Sequence, residues 1–364
     1  MSEQLLYQIG LTLIPGVGDV LGKKLVAYCG GPEAVFSEKK RALEKIPGIG
    51  AAIIHEIMHQ NVLGRAEEEM DFITKKGIQP LFFLDKKYPK RLQHCADSPL
   101  MLYYYGNADL NLQKVIGIVG TRKATEYGKH WCEQFIEDLS SDEVLIVSGL
   151  AYGIDSCAHR ASLKYHLPTI GVLAHGLDRI YPLSNRSMAE RMISQGGLLT
   201  EFMAGTNPDR ENFPRRNRIV AGMVDAVVVV ESAKKGGALI TANIASSYNR
   251  DVFAVPGRVG DFTSEGCNYL IRTNKADMIE NAENLRYMLG WDIRKPSSPQ
   301  TRLFRDFSED EQKILDAFGD NKESGIDDIM LKSAFPASKL AGLLLGLEFD
   351  GVLVALPGKR YKIA

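Results

Sequence analysis

Between Val115 and Val255 the chain repeats one pattern: a short, unbroken apolar run rich in β-branched residues, a turn of small residues, then a stretch with helical spacing. The runs are Val115–Val119, Val144–Val147, Thr169–Leu173, Leu198–Glu201, Ala226–Glu231 and Val252–Val255, with helical segments such as Gly128–Leu139 and Ile154–Tyr165 between them. Strands that are apolar at successive positions are covered on both faces. Strand–helix alternation at this spacing restricts the fold to α/β, a Rossmann-like doubly wound and mostly parallel sheet. Two earlier runs, Ile78–Leu84 and Met101–Tyr105, have no clear helix between them and are expected to extend one edge of that sheet.

The flanks read differently. Residues 1–72 are helical in pattern and hold one phrase twice, Ile14-Pro15-Gly16-Val17-Gly18 and Ile46-Pro47-Gly48-Ile49-Gly50, each followed by a helical segment, Asp19–Tyr28 and Ala51–Gln60. An apolar-Pro-Gly-x-Gly turn opening a helix marks a helix-hairpin-helix element, whose free N–H groups can hold a phosphate. Tandem copies pack as one SAM-like module, and because acidic side chains outnumber basic ones here, packing is the favoured role over DNA contact. An extended core is expected over residues 73–292 and a linker over 293–307, centred on Lys295-Pro296-Ser297-Ser298-Pro299-Gln300. Residues 308–364 read as three helices, Glu309–Phe318, Ile326–Ser333 and Pro336–Phe349, then a hairpin of Val352–Leu356 and Arg360–Ile363, a winged-helix pattern. Its candidate recognition helix carries only Lys339 and Glu348, so protein contact or regulation is favoured over DNA reading.

Composition narrows the function. The formal net charge of −1 excludes a protein that grips polyanions by bulk charge, so any nucleic-acid site must be local. No apolar run approaches the roughly 20 residues a membrane span needs. Met1-Ser2-Glu3-Gln4 lacks the basic stretch of a secretory signal, and the five cysteines (Cys29, Cys95, Cys132, Cys157, Cys267) are scattered, without a Cys-x-x-Cys. The expectation is a cytoplasmic protein with reduced thiols.

Four loops carry the candidate chemistry, each at the carboxyl end of a predicted strand. Gly117-Ile118-Val119-Gly120-Thr121-Arg122-Lys123 offers free N–H groups before a helix, with Arg122 as a charged fork. It is not a complete G-x-G-x-x-G, and Val147-Ser148-Gly149 stands where a ribose-binding acid would be expected, which argues against NAD. Ser148-Gly149-Leu150-Ala151-Tyr152-Gly153-Ile154-Asp155 is the second, with Asp155 placed to cap the next helix. The third, Phe213-Pro214-Arg215-Arg216-Asn217-Arg218 with Arg210 before it, is the densest basic cluster, and Phe213 could stack on a base. The fourth is Glu231-Ser232-Ala233-Lys234-Lys235-Gly236-Gly237-Ala238-Leu239-Ile240-Thr241-Ala242, an anion nest. In a doubly wound fold these loops share one edge, so they should converge although residues 111–290 hold 20 basic and 20 acidic side chains. Two decoys are set aside. His55-Glu56-Ile57-Met58-His59 matches H-E-x-x-H but sits in the second hairpin repeat without an evident third ligand. Ser148, Asp155 and His159 could be drawn as a nucleophilic set, but no nucleophile elbow is present. The residues call for no catalytic group, metal or cofactor.

Taken in order, the motifs resemble the bacterial DNA-processing protein A family (DprA, also called Smf). The matching phrases are Tyr88-Pro89, Leu92 and Ser98-Pro99; Val119-Gly120-Thr121-Arg122; Ser148-Gly149-Leu150-Ala151, Gly153-Ile154-Asp155 and Ala158-His159; Gly176-Leu177-Asp178, Tyr181-Pro182 and Asn185; Phe213-Pro214 with Arg216-Asn217-Arg218; Ile240-Thr241-Ala242; Val252-Phe253-Ala254-Val255-Pro256-Gly257; and Gly266-Cys267-Asn268. They cover residues 88–275. The resemblance implies a Rossmann-like core that binds single-stranded DNA without sequence preference, protects incoming strands in natural transformation, loads a RecA-type recombinase and self-associates as a homodimer. By motif, the strand-binding residues would be Gly120, Thr121, Arg122, Lys123, Ser148, Gly149, Phe213, Arg215, Arg216, Asn217, Arg218, Lys235, Gly236, Gly237 and Asn268. Among them Arg122, the Ser148-Gly149 turn, Arg216, Arg218 and the Gly236-Gly237 turn would hold phosphates. Family members often place a serine within the Gly236-Gly237-Ala238 stretch, and none stands there here. The rival reading is a nucleotide-processing enzyme of similar architecture, the phosphoribohydrolases. Their Pro-Gly-Gly-x-Gly-Thr-x-x-Glu carries an acid–base glutamate, and no glutamate follows the comparable turn closely here.

Overall fold

Valine and isoleucine at successive positions leave a strand no solvent face, and the sheet is built accordingly: Val115, Ile116, Ile118, Val144, Leu145, Ile146, Val147 and Ala226–Val229 are all fully buried. Each such valine, leucine or isoleucine side chain contributes about 1.5–3 kcal/mol by leaving water. The computed structural model describes residues 3–291, 307–319, 323–350, 352–356 and 359–363. One sheet contains nine strands: β1 (Gln79–Phe82), β2 (Met101–Gly106), β3 (Lys114–Val119), β4 (Val144–Ser148), β5 (Thr169–Val172), β6 (Gly196–Thr200), β7 (Ala226–Val229), β8 (Asp251–Ala254) and β9 (Asp277–Met278). Their spatial order is β1-β2-β6-β5-β4-β3-β7-β8-β9. From β6 to β9 every pairing is parallel, while β1–β2 and β2–β6 are antiparallel. The two early runs therefore extend one edge, as the absence of a crossover helix between them implies. The strand order reverses at β3, between β4 and β7. In an open α/β sheet, ligands bind in the crevice beyond the carboxyl ends at such a point.

The opposite end of the sheet is closed by charge. Arg91 makes a two-pronged ion pair with Asp225 at 2.6 and 2.9 Å, and Asp225 also accepts the Val115 amide ahead of it. The short strand β9 is not legible in the sequence, because two exposed residues, Asp277 and Met278, carry no apolar pattern.

The chain divides into two compact units, Met1–Gly290 and Trp291–Ala364. In the first, both repeated turns appear as read: Gly16 and Gly48 sit at φ +76° and +84°, and helices Asp19–Cys29 and Ala51–His59 follow. The helical module is packed on the sheet, with Ile9, Leu25 and Ile57 sharing a core with Phe82, Leu100, Met101 and Tyr103. Asp19, at the first turn, is used in that docking: it accepts from the Leu100 amide at 2.9 Å and from Arg218 at 3.0 Å. His55 and His59 stack on one another at 4.3 Å, and His59 Nδ1 lies 2.9 Å from the His55 carbonyl.

In the second unit, helices Glu309–Phe318, Ile326–Ser333 and Ala337–Phe349 are followed by β11 (Leu353–Leu356) and β12 (Arg360–Ile363). A further strand, β10 (Glu323–Gly325), pairs with β12 and completes the three-stranded wing sheet. The linker Lys295–Gln300 and the wing turn at Pro357-Gly358 lie outside the described residues.

His159 gives the core a pH dependence. It is fully buried, its Nδ1 is 2.7 Å from Thr169 Oγ1, and the Thr169 hydroxyl donates to the Ile146 carbonyl. The hydroxyl proton is thus committed, so Nδ1 carries the proton of a neutral imidazole. Burial, aided by Arg216 and Arg160, brings the His159 pKa down to about 3. The folded protein keeps this ring neutral while the unfolded chain protonates it near 6.5. Its contribution to stability is complete above pH 6.5 and lost as pH falls from 6.5 toward 3, at up to about 1.4 kcal/mol per unit. Buried His175, also lowered, acts with the same sign. Urea titrations at pH 7.5, 6 and 5 should show a falling midpoint, and His159→Gln should flatten that fall.

Candidate nucleic-acid interface

The cleft at the reversal point is assembled from four chain segments. Three are the loops after β3, β4 and β7. The fourth is the start of helix Asn212–Met223 with Arg210 just before it. It has a volume of about 380 Å³. Asp155 is the single carboxylate lining it among the described residues. Asp155 does not cap its own helix. Its Oδ2 accepts from the amides of Gly149 and Ala151 at 3.1 and 3.4 Å, pinning the β4 loop, and burial raises its pKa.

Gly153 locks two of these loops together. It sits at φ +78°, ψ −124°, and the Ile154 amide after it donates to the Thr121 carbonyl at 3.2 Å. A Cβ at Gly153 would collide with that same carbonyl oxygen. The β7 loop instead ends in an open site. Helix Gly237–Ser247 points its N-terminus into the cleft, and a Cβ on Gly237 would meet nothing within 4 Å.

Arg216 dominates the electrostatics. It is 5% exposed, and its guanidinium donates to the carbonyls of Gly149 and Val172 and to Asn217 Oδ1. Asp155 lies close enough to act on it through space, but no carboxylate among the described residues bonds it. Burial lowers its pKa, which records the cost of keeping a cation away from water. An anion in the cleft would offset that cost. Arg122 stands at the mouth, its guanidinium carbon 5.3 Å from the Phe213 ring centroid, and Tyr181 approaches the same ring at 6.4 Å.

Of the residues singled out in the sequence, Gly120, Thr121, Arg122, Gly149, Phe213, Arg216, Asn217, Gly236 and Gly237 line the cleft together. Lys123 and Lys235 are exposed on the same loops but do not line it. Four others are used elsewhere, contrary to the sequence reading. The Ser148 side chain is fully buried and its hydroxyl donates to the Ile118 carbonyl at 2.6 Å, so it is not available to a phosphate, nor does it meet His159. Arg218 turns to the helical module and pairs with Glu201 and Asp19. Arg215, one residue before Arg216 and so on another helix face, pairs with Glu201 at 3.2 Å. Asn268 holds the loop after β8 through the Gly257 amide and carbonyl. Arg210 and Thr241, which belong to the third and fourth candidate segments but not to the strand-binding set, also line the cleft. Thr241 had a signal: it stands four residues after Gly237, on the same helix face.

The profile of the family described as DNA recombination-mediator protein A matches residues 79–290, and that of the DprA winged helix domain matches 294–359. The chain belongs to the DNA recombination-mediator protein A family. Protein Smf of Synechocystis is 33% identical over 99% of both chains. DNA processing protein DprA of Bacillus subtilis is 40% identical over 58% of this chain and 71% of its own. Among solved structures, DNA processing protein A of Streptococcus pneumoniae superposes with a TM-score of 0.67 at 30% identity, covering 79% of this chain and 98% of that one. The Helicobacter pylori protein, whose structure was described for its single-stranded DNA binding mode, gives 0.54 at 29% identity, over 59% and 96%. The family profile spans every cleft-lining residue, so the cleft is a feature of the DNA recombination-mediator protein A core and not of the flanking helical module.

Proposed function

We propose that this chain binds single-stranded DNA without sequence preference, holding phosphates in the cleft between β4, β3 and β7. The carrying observation is Arg216, a buried guanidinium that no carboxylate among the described residues bonds, beside the open N-terminus of helix Gly237–Ser247. Two features together supply what a polyanion needs, a desolvated charge and free N–H groups. Arg122 over Phe213 adds a cation and an aromatic face at the mouth, the pairing that suits unpaired bases. The family resemblance extends the proposal to protection of incoming strands in natural transformation, delivery to a RecA-type recombinase, and action as a homodimer. The winged helix serves protein contact on this reading, since Lys339, the one basic residue of helix Ala337–Phe349, is paired with Asp310 at 2.7 Å.

Fluorescence anisotropy with single- and double-stranded oligonucleotides over a salt series tests the proposal. Single strands should bind more tightly, and log K should fall linearly with log salt, with a slope of about −0.7 for each phosphate neutralised. Arg122→Ala should cost about tenfold and flatten the slope by about that unit, leaving the melting temperature unchanged. A folded Arg122→Ala protein with unaltered affinity and slope would remove Arg122 from the site.

A further inference from the structure

Between residues 79 and 290 five aromatic side chains are exposed: Tyr127, Tyr152, Tyr181, Phe262 and Tyr287. The first four lie on loops or helix starts beyond the carboxyl ends of β3, β4, β5 and β8. Exposing large aromatic faces forfeits the gain from burying them, and four on one rim of a sheet mark that rim as a surface that is covered in use. The rim is also cationic. Arg122 and Lys123 after β3, Arg210 after β6, Lys234 and Lys235 after β7 and Arg258 after β8 stand at the carboxyl ends of the strands without an ion-pair partner among the described residues.

The cleft does not end at β7. A second hollow of about 580 Å³, lined by Tyr127, Pro256, Gly257 and Arg258, adjoins it across the Glu231-Ser232-Ala233 turn: Glu231 lines the hollow, and Ser232 and Ala233 line the cleft. The carboxylates in this hollow are Glu231, which is bonded to the amide and hydroxyl of Thr125, and Asp261. On the other side Tyr181 joins Phe213 at the cleft mouth, with Tyr152 on the β4 loop between β3 and β5.

Building on the proposed single-strand site, we infer that the bases of a bound strand stack on Tyr181, Tyr152, Tyr127 and Phe262 in that order along the rim, while its phosphates occupy the cleft. Strands lie about 4.8 Å apart, so the four steps from β5 to β8 span about 19 Å, room for five or six nucleotides at about 3.4 Å each. Stacking explains tolerance of sequence, because every base presents a π-face. It also explains preference for single strands, because a duplex keeps its bases stacked on each other.

The test compares a dT20 strand with a 20-mer of abasic sites, which keeps the phosphates and lacks the bases, by anisotropy on the full-length protein. The wild type should bind the abasic strand 10- to 100-fold more weakly. The double variants Tyr127→Ala/Phe262→Ala and Tyr152→Ala/Tyr181→Ala should each lose about tenfold on dT20, lose nothing on the abasic strand and keep the wild-type salt slope. Circular dichroism and melting temperature should match wild type, since all four side chains are exposed. Equal wild-type affinity for the two strands, or full dT20 affinity in both double variants, overturns the stacking platform and leaves the phosphate cleft standing. Failure of the wild type to bind either strand overturns both.

Discussion

Gly237→Glu should reduce single-strand affinity at least 100-fold without weakening the fold. Gly237 is the first residue of helix Gly237–Ser247, and a side chain there meets open space. A carboxylate at a helix N-terminus favours the helix by about 0.3–1 kcal/mol, so the melting temperature should hold or rise slightly. The same carboxylate would occupy the place proposed for a phosphate and repel those nearby. Losing one anion site and gaining a like charge is worth about 2.7 kcal/mol or more, which is a hundredfold. Gly237→Ala separates the two effects: it adds volume but no charge and should bind within a few fold of wild type. Anisotropy beside thermal melts checks both variants. Strong binding by a folded Gly237→Glu protein would move the phosphate site away from this helix.

Gly153→Ala should do the reverse and damage the fold first. Its backbone conformation is one that residues with a Cβ scarcely adopt, a cost of about 1–3 kcal/mol. The new Cβ would also press on the Thr121 carbonyl, which is backbone and cannot swing aside. Together these predict a loss of about 3 kcal/mol or more, read as a melting temperature lower by roughly 6–12 °C. The Thr121 carbonyl is where the β3 and β4 loops are tied, so the surviving folded protein should also bind DNA more weakly. A Gly153→Ala protein as stable as wild type would show that the two loops are not held in register at this point.

These two glycines look alike in sequence, each in a glycine-bearing turn before a helix. One is required by its backbone angle and a close carbonyl, the other leaves room for a ligand. Local sequence cannot separate them, because the difference lies in what the opposite loop brings near. The arginine cluster shows the same limit. Arg215, Arg216 and Arg218 crowd four positions, yet the helix sends them to different surroundings: Arg216 into the cleft, Arg215 and Arg218 to Glu201 and the docked helical module. Ser148 likewise sits in a recognisable turn, but as the last residue of a fully buried strand its hydroxyl is taken up by the neighbouring strand.

What the amino-acid order determined unaided was periodic or local. β-Branched runs with no polar face dictated a buried parallel sheet, the alternation with helices dictated double winding, and Pro-Gly-x-Gly turns dictated the paired hairpins. From that topology alone the loops after β3, β4 and β7 had to meet on one rim, since parallel strands deliver their carboxyl ends to the same side, whereas the segment 213–218, read as a loop, lies inside helix Asn212–Met223. The tertiary structure decided which cations remain unpaired, which hydroxyls are already bonded, and which aromatic faces stay in water. Those properties depend on partners far away in sequence, such as Asp19 with Arg218, or Glu231 with Thr125. Whether a charge is free to meet a phosphate is settled by what else reaches it, and only the folded chain brings those groups within reach.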